Sequence, residues 1–155
     1  MGGRPLVLVV NGPNLDKLGT RQPEIYGSTT LAELEERLRS RAKELGLEVE
    51  FFQSNDESAV VSAVSSAPGR GAAAILINPA ALTHFSNPLR EALAATGLPI
   101  VEVHISNIHA REPFRRLSLV SGVAKGVIAG LGVSGYALAL EAIAGMVGDP
   151  HEGKR

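Results

Sequence analysis

Residues 100–115 concentrate side chains that do chemistry. The run Ile100-Val101-Glu102-Val103 is strand-like, and it delivers His104, Ser106, Asn107, His109, Arg111 and Arg115 in quick succession. Imidazole exchanges a proton near neutral pH. Guanidinium presents a planar fork of donors to oxygen ligands. Together they suit an oxygen-rich, anionic small molecule. On a strand, Glu102 and His104 share one face and Val103 takes the other.

Amides recur at the other strand ends: Asn11 and Asn14 after residues 6–10, Gln53 and Asn55 after 47–52, Asn78 after 72–77. A lone Asn at such a place is commonly a turn former or a cap. Four polar exits, joined by His84 and His104, predict a shared site, because open α/β sheets bind ligands beyond the carboxyl ends of their strands.

The elements that must position these groups follow from periodicity. Residues 6–10, 47–52, 72–77, the strand opening at 100 and a short run near 126–129 are β-rich or apolar, as in a sheet covered on both faces. Leu31, Leu34, Leu38, Ala42 and Leu45 form a helical stripe, with Thr30 and Glu33 as a capping box and Gly46 as the stop. Helices are also predicted over 57–66, from a Ser86 or Asn87 cap to 95, and over 134–147. Between the last two strands the helical signal is weak. Residues 16–27 show no helical periodicity, and a connection of that length is more often functional than idle. The alternation predicts an α/β fold with a mostly parallel sheet and helices on both faces.

At 155 residues, the chain is read as one domain, 1–155, with 148–155 a flexible tail. Aromatics are 4% and tryptophan is absent, so the core must be aliphatic. A net charge of -1 gives no footprint for nucleic acid. The apolar run near the start is too short for a leader or a membrane span, so a cytoplasmic, non-membrane protein is expected. Cysteine is absent, which excludes disulfides and a thiol nucleophile. No Walker A sequence is present. Gly130-Leu131-Gly132-Val133-Ser134-Gly135 has dinucleotide-fingerprint spacing, but it follows the last strand and reads as a tight turn with close helix packing. The histidines lack metal-ligand spacing.

Taken together, Asn11-Gly12-Pro13-Asn14-Leu15, Gly19-Thr20-Arg21-Gln22-Pro23-Glu24-Ile25-Tyr26-Gly27, Gln53-Ser54-Asn55, Ile77-Asn78-Pro79, Thr83-His84 and residues 102–115 resemble the type II 3-dehydroquinate dehydratases. The likeness runs from about 6 to 143. It implies a flavodoxin-like three-layer sandwich with a five-stranded parallel sheet, and a dodecamer built from four trimers. It implies conversion of 3-dehydroquinate to 3-dehydroshikimate without cofactor or metal. The direction, shikimate synthesis or quinate breakdown, stays open.

The reaction removes a proton alpha to a ketone and then expels a hydroxyl, so it needs a base, an acid and support for an enolate. The resemblance implies Tyr26 as base, acting as phenolate beside the cation Arg21. It implies Asn14 orienting a water at the enolate and His104 protonating the leaving hydroxyl, with Glu102 supporting its ring. Substrate contacts are implied for Asn78, His84, Ile105, Ser106, Arg111 and Arg115, and for Glu91 in a neighbouring subunit's site. Residues 19–27 are expected to close over substrate.

Some positions depart from the family pattern. Asp56-Glu57-Ser58 stands where His-Glu-Gly is usual, and Glu91 where Asp is usual. Phe85, Asn87 and the Arg116-Leu117 pair also differ. These changes motivate an alternative: a non-catalytic or weakly active small-acid-binding paralogue. A flavin module is a third reading, disfavoured because the first loop has no Ser/Thr-rich phosphate cradle.

Overall fold

The computed structural model describes residues 3–20 and 22–148. Five strands, β1 (Leu6–Asn11), β2 (Glu48–Gln53), β3 (Ala72–Asn78), β4 (Ile100–His104) and β5 (Gly126–Ala129), form one parallel sheet. Their order is β2-β1-β3-β4-β5. The chain steps outward from β1 to β2, then returns to the other side of β1 for β3. That reversal opens a crevice at the carboxyl ends of β1 and β3.

The helices are α1 (Pro23–Tyr26), α2 (Leu31–Glu44), α3 (Glu57–Ser66), α4 (Asn87–Thr96) and α5 (Ser134–Val147). Alternate strand residues face opposite layers. Val7, Val9, Ala74 and Leu76 pack with Leu34 and Leu38 of α2 and with Leu140 and Ile143 of α5. Leu8, Val10, Ile75 and Ile77 pack with Val60 and Val64 of α3 and with Leu89 and Leu93 of α4. Each Val, Leu or Ile among them, fully buried, contributes about 1.5–3 kcal/mol relative to leaving it in water. This is the three-layer sandwich expected, and it explains the near-continuous apolar runs of β1 and β3.

Local chemistry sets the helix ends. Thr30 and Glu33 form the reciprocal capping box at α2. The Ser86 side chain accepts from the Leu89 amide and caps α4, with Pro88 in the first turn. The 57–66 and 134–147 helices fall where their patterns predict.

Two connections are more ordered than their periodicity suggested. The connection after β1 contains a 3-10 turn, Leu15–Lys17, and the one-turn helix α1. Pro23 opens α1 with its fixed φ, after Gln22 at a left-handed φ of 46°. A four-residue helix is too short for an apolar period to reveal. Between β4 and β5 lie three 3-10 turns, Ile108–Ala110, Pro113–Arg115 and Ser121–Val123. Pro113 interrupts any longer helix there.

Gly19 has φ +89°, and a Cβ there would stand 2.8 Å from the Ser28 carbonyl oxygen and 2.9 Å from that of Thr29. Only glycine lets the two ends of the connection meet so closely. The segment carrying Tyr26 is therefore a loop pinned at its base. Among the described residues, no helix is long and apolar enough to cross a membrane. The expected tail, apart from Gly148, lies outside the described residues.

Candidate active site

At the carboxyl edge of the sheet, pairing register puts Asn11 beside Gln53 on one side and beside Asn78 on the other. The polar exits thus lie at one level. Above them is a cavity of about 170 Å³. It brings together Asn14 from the β1 exit, Tyr26 from α1, Asn78 and His84 from beyond β3, and His104, Ile105, Ser106, Arg111 and Arg115 from the β4 exit. Lys17, Gln22 and Ala80 complete much of its wall. No carboxylate lines it among the described residues, while Lys17, Arg111 and Arg115 bring positive charge. The lining suits an anion with several hydroxyls.

His104 and Glu102 end the buried strand β4, and Glu102 has no exposed surface. The imidazole Nε2 is paired with Glu102 Oε2. Ser118 donates to the same oxygen at 2.9 Å, and Ser121 donates to Oε1 at 2.6 Å. Burial alone would push the carboxyl's pKa up. Hydrogen bonds from His104, Ser121 and Ser118, with the nearby imidazole charge, outweigh it and hold the group below the usual carboxylate range. Glu102 is therefore a buried anion. It supports His104 from beneath and stays out of the cavity. With Nε2 engaged, Nδ1 is the ring nitrogen left without a hydrogen-bond partner among the described residues.

Tyr26 is half-buried. Its hydroxyl oxygen accepts from Arg111 Nη1 at 2.8 Å, and the guanidinium stands 5.5 Å from its ring centroid. The same Nη1 donates to Ser106 Oγ at 3.1 Å. Arg111 thus ties the first connection to the β4 exit. Arg21, expected beside Tyr26, lies outside the described residues, and Arg111 is the cation found at this hydroxyl.

Asn14 is at a left-handed φ of 70°, with its backbone amide donating to Asn55 Oδ1 at 2.8 Å. His84 is oriented by Nδ1 donating to the Leu117 carbonyl at 2.8 Å. Arg115 donates from Nε to Glu112 at 2.8 Å, which leaves its Nη groups for a ligand among the described residues. The Ile105 carbonyl accepts from the Gly132 amide at 3.0 Å, and the His104 carbonyl from the Gly130 amide at 3.2 Å. The glycine-spaced turn thus braces the β4 exit, in addition to being the tight turn expected. Gly135 lets α5 pack closely: a Cβ there would meet Ile128 at 3.3 Å and Val103 at 3.4 Å.

Asn78 lines the cavity with a side chain oriented by two hydrogen bonds. Its Oδ1 accepts from the Ala80 amide at 3.1 Å, and its Nδ2 donates to the Tyr136 hydroxyl at 2.9 Å. Tyr136 in turn donates to Asn11 at 2.6 Å. Burial pushes the Tyr136 pKa up, against the opposing hydrogen bond from Asn78. Glu91 is not in its own chain's cavity. It is exposed on α4 and paired with Arg90 at 2.7 Å. Among the described residues, no three His, Asp or Glu side chains converge as metal ligands.

Sequence reasoning missed Tyr136, Ser118, Ser121 and Gln22. The serines carry no local signal, and Tyr136 reads as one more apolar position of a helix. Lys17 lines the cavity from an exposed position, without the apolar surroundings that an imine-forming amine requires.

Comparison with known proteins matches residues 5–144 to the family Dehydroquinase class II. A 3-dehydroquinate dehydratase of Methylococcus capsulatus is 55% identical over 136 residues, covering 88% of this chain and 92% of the relative. Catabolic 3-dehydroquinase 1 of Aspergillus terreus is 51% identical over 138 residues, covering 89% and 90%. The crystal structure of type II dehydroquinase from Propionibacterium acnes superposes with a TM-score of 0.88 at 44% identity, covering 93% of this chain and 99% of that one.

Proposed function

The chain belongs to the class II dehydroquinase family, and we propose that the cavity between Tyr26 and His104 is where it turns 3-dehydroquinate into 3-dehydroshikimate. The protein is a 3-dehydroquinate dehydratase, a carbon–oxygen lyase of the shikimate pathway. The observation that carries the site assignment is one cavity, without a carboxylate among the described residues that line it, holding a tyrosine hydroxyl bonded to a guanidinium and an imidazole bonded to a buried carboxylate.

Tyr26, as phenolate, takes the proton alpha to the ketone. Arg111, and Arg21 by family likeness, supply the positive charge that steadies the phenolate. A water held by Asn14 stabilises the enolate oxygen. The enolate then collapses to the new double bond as the beta hydroxyl departs, taking a proton from His104. Ser106, Ile105 and Arg115 hold the carboxylate end and nearby oxygens, while His84 and Asn78 meet hydroxyls. Closure of residues 19–27 excludes water and brings Tyr26 to the reacting carbon.

The chain acts as one domain in the cytoplasm, and copies assemble as a dodecamer of four trimers. Exposed Phe85, Phe114 and Leu117 supply apolar surface for that assembly. Glu91 then reaches the site of a neighbouring copy.

Incubating the purified protein with 3-dehydroquinate and following the absorbance of the conjugated enone tests the function. Steady turnover is expected, with most of it lost in Tyr26→Phe. Wild-type rates in that variant would remove Tyr26 from the role of base.

A further inference from the structure

Beneath the cavity, Ser118 and Ser121 sit on the connection between β4 and β5, and neither lines the cavity. Both hydroxyls nevertheless end on Glu102, one on each carboxylate oxygen. Ser118 Oγ also accepts from the Val120 and Ser121 amides, each at 3.1 Å, so its orientation is fixed by the turn that Ser121 opens. A hydroxyl that already accepts from the backbone has its proton to give. The carboxylate, itself without exposed surface, therefore receives three donors, and an ionised carboxylate only accepts.

We propose that Ser118 and Ser121 are positioning residues that lock Glu102 as an acceptor, so that His104 keeps a proton on Nε2 throughout the cycle and delivers the catalytic proton from Nδ1. This rests on the reading of His104 as the acid and adds which ring nitrogen acts and what enforces the choice. Were Glu102 protonated, its own hydrogen could point at Nε2 and the tautomer would be free to reverse. With both oxygens already accepting from serine, the Nε2 hydrogen has a fixed partner. In the acid step, the Nδ1–H bond of the imidazolium breaks and its proton joins the departing hydroxyl. The carbon–oxygen bond breaks with its electron pair leaving on oxygen as water, and the enolate electrons form the double bond. The ring is then neutral, still bonded through Nε2–H to Glu102, and regains its Nδ1 proton from solvent or from the proton that Tyr26 removed.

Charged and titratable groups facing the pair are few among the described residues. Glu102 meets only His104 and the two serines, while on the cavity side stand Lys17, Tyr26, His84, Arg111 and Arg115. Ser121 is the cleaner probe, because Ser118 also caps the backbone. In Ser121→Ala, turnover is expected to fall about tenfold, in line with loss of one hydrogen bond to a charged group. KM should barely change, since Ser121 touches no substrate. The negative charge on Glu102 is then less dispersed and the pair holds its proton more tightly. The alkaline limb of the kcat profile should therefore move to higher pH. Ser121→Thr keeps the hydroxyl and should restore rate and profile.

Nitrogen-15 chemical shifts of the His104 ring, read in the wild-type protein, give a measurement that needs no variant to fold. Nε2 should stay protonated across the active pH range. Loss of the Nε2 proton, or a Ser121→Ala enzyme with wild-type kcat and an unmoved limb, overturns the proposal. His104→Ala serves as the control. Its retention of full activity would defeat the acid assignment itself, whereas its inactivity beside an unaffected Ser121→Ala would defeat only the serine lock.

Discussion

His104 and Tyr26 face the same cavity from opposite kinds of support. His104 ends a central strand, with a buried carboxylate beneath its ring and two serine hydroxyls on that carboxylate. Tyr26 ends a four-residue helix with no buried residue, set in a loop pinned at Gly19 and held to the β4 exit through Arg111. One wall belongs to the core, where opening requires disrupting packed structure. The other belongs to a one-turn helix with no buried residue, whose Tyr26 packs at the edge of the core. His104 is thus held in place by the core itself. Tyr26 is held by a short element joined to the β4 exit through Arg111.

Tyr26→Phe and His104→Ala set the comparison most directly. Both should cut turnover by about 10²–10⁴-fold, the range for a lost general acid or base. Only His104→Ala should lower stability, by about 3–5 kcal/mol, because it leaves Glu102 as a buried charge without its partner. Urea titration of both variants checks this. Equal midpoints would erase the distinction between the two walls.

Arg111 spans the divide, and Arg111→Ala should reduce kcat/KM by about 10–100-fold through loss of charge-assisted hydrogen bonds. A double-mutant cycle with Tyr26→Phe should give a combined loss well short of the product of the single losses. Strictly multiplicative effects would mean that Arg111 does not act through the tyrosine.

Limited proteolysis tests the proposed closure of residues 19–27. Cleavage within residues 19–27 should slow several-fold at saturation with a substrate analogue, while cleavage elsewhere stays constant. Equal rates with and without the analogue would count against closure.

The smallest effects concern pH. The pKa of Glu102 is lowered in the fold, so its contribution to stability is present above the ordinary value of 4.5 and fades as pH falls through the lower folded value. Acid unfolding should be flatter in Glu102→Gln than in the wild type, and unchanged in Tyr26→Phe. Tyr136 has the opposite sign for alkali. Its raised pKa means the unfolded chain releases a proton first, so stability falls as pH rises above 10.0. Tyr136→Phe should remove that alkaline slope.

The departures near residues 56–58 alter this comparison little. Glu57 accepts from Ser86 at 2.6 Å and joins the starts of α3 and α4, away from both walls. Asp56 accepts from Ser58 at 3.1 Å, a local contact at the α3 start.

Local pattern determined much of the molecule. Apolar runs marked the strands, and Thr30, Ser86 and Gly46 marked helix ends, because capping and burial act within a few residues. Amides at four strand exits pointed to one edge of the sheet, and the family likeness supplied roles for Tyr26 and His104. Only the tertiary structure joined Arg111 to Tyr26, Ser118 and Ser121 to Glu102, and Tyr136 to Asn11 and Asn78. Those partners meet because the strand order and the crossovers bring distant segments to one edge. A hydroxyl that fixes a buried carboxylate from a far turn has no local period or spacing by which to be read.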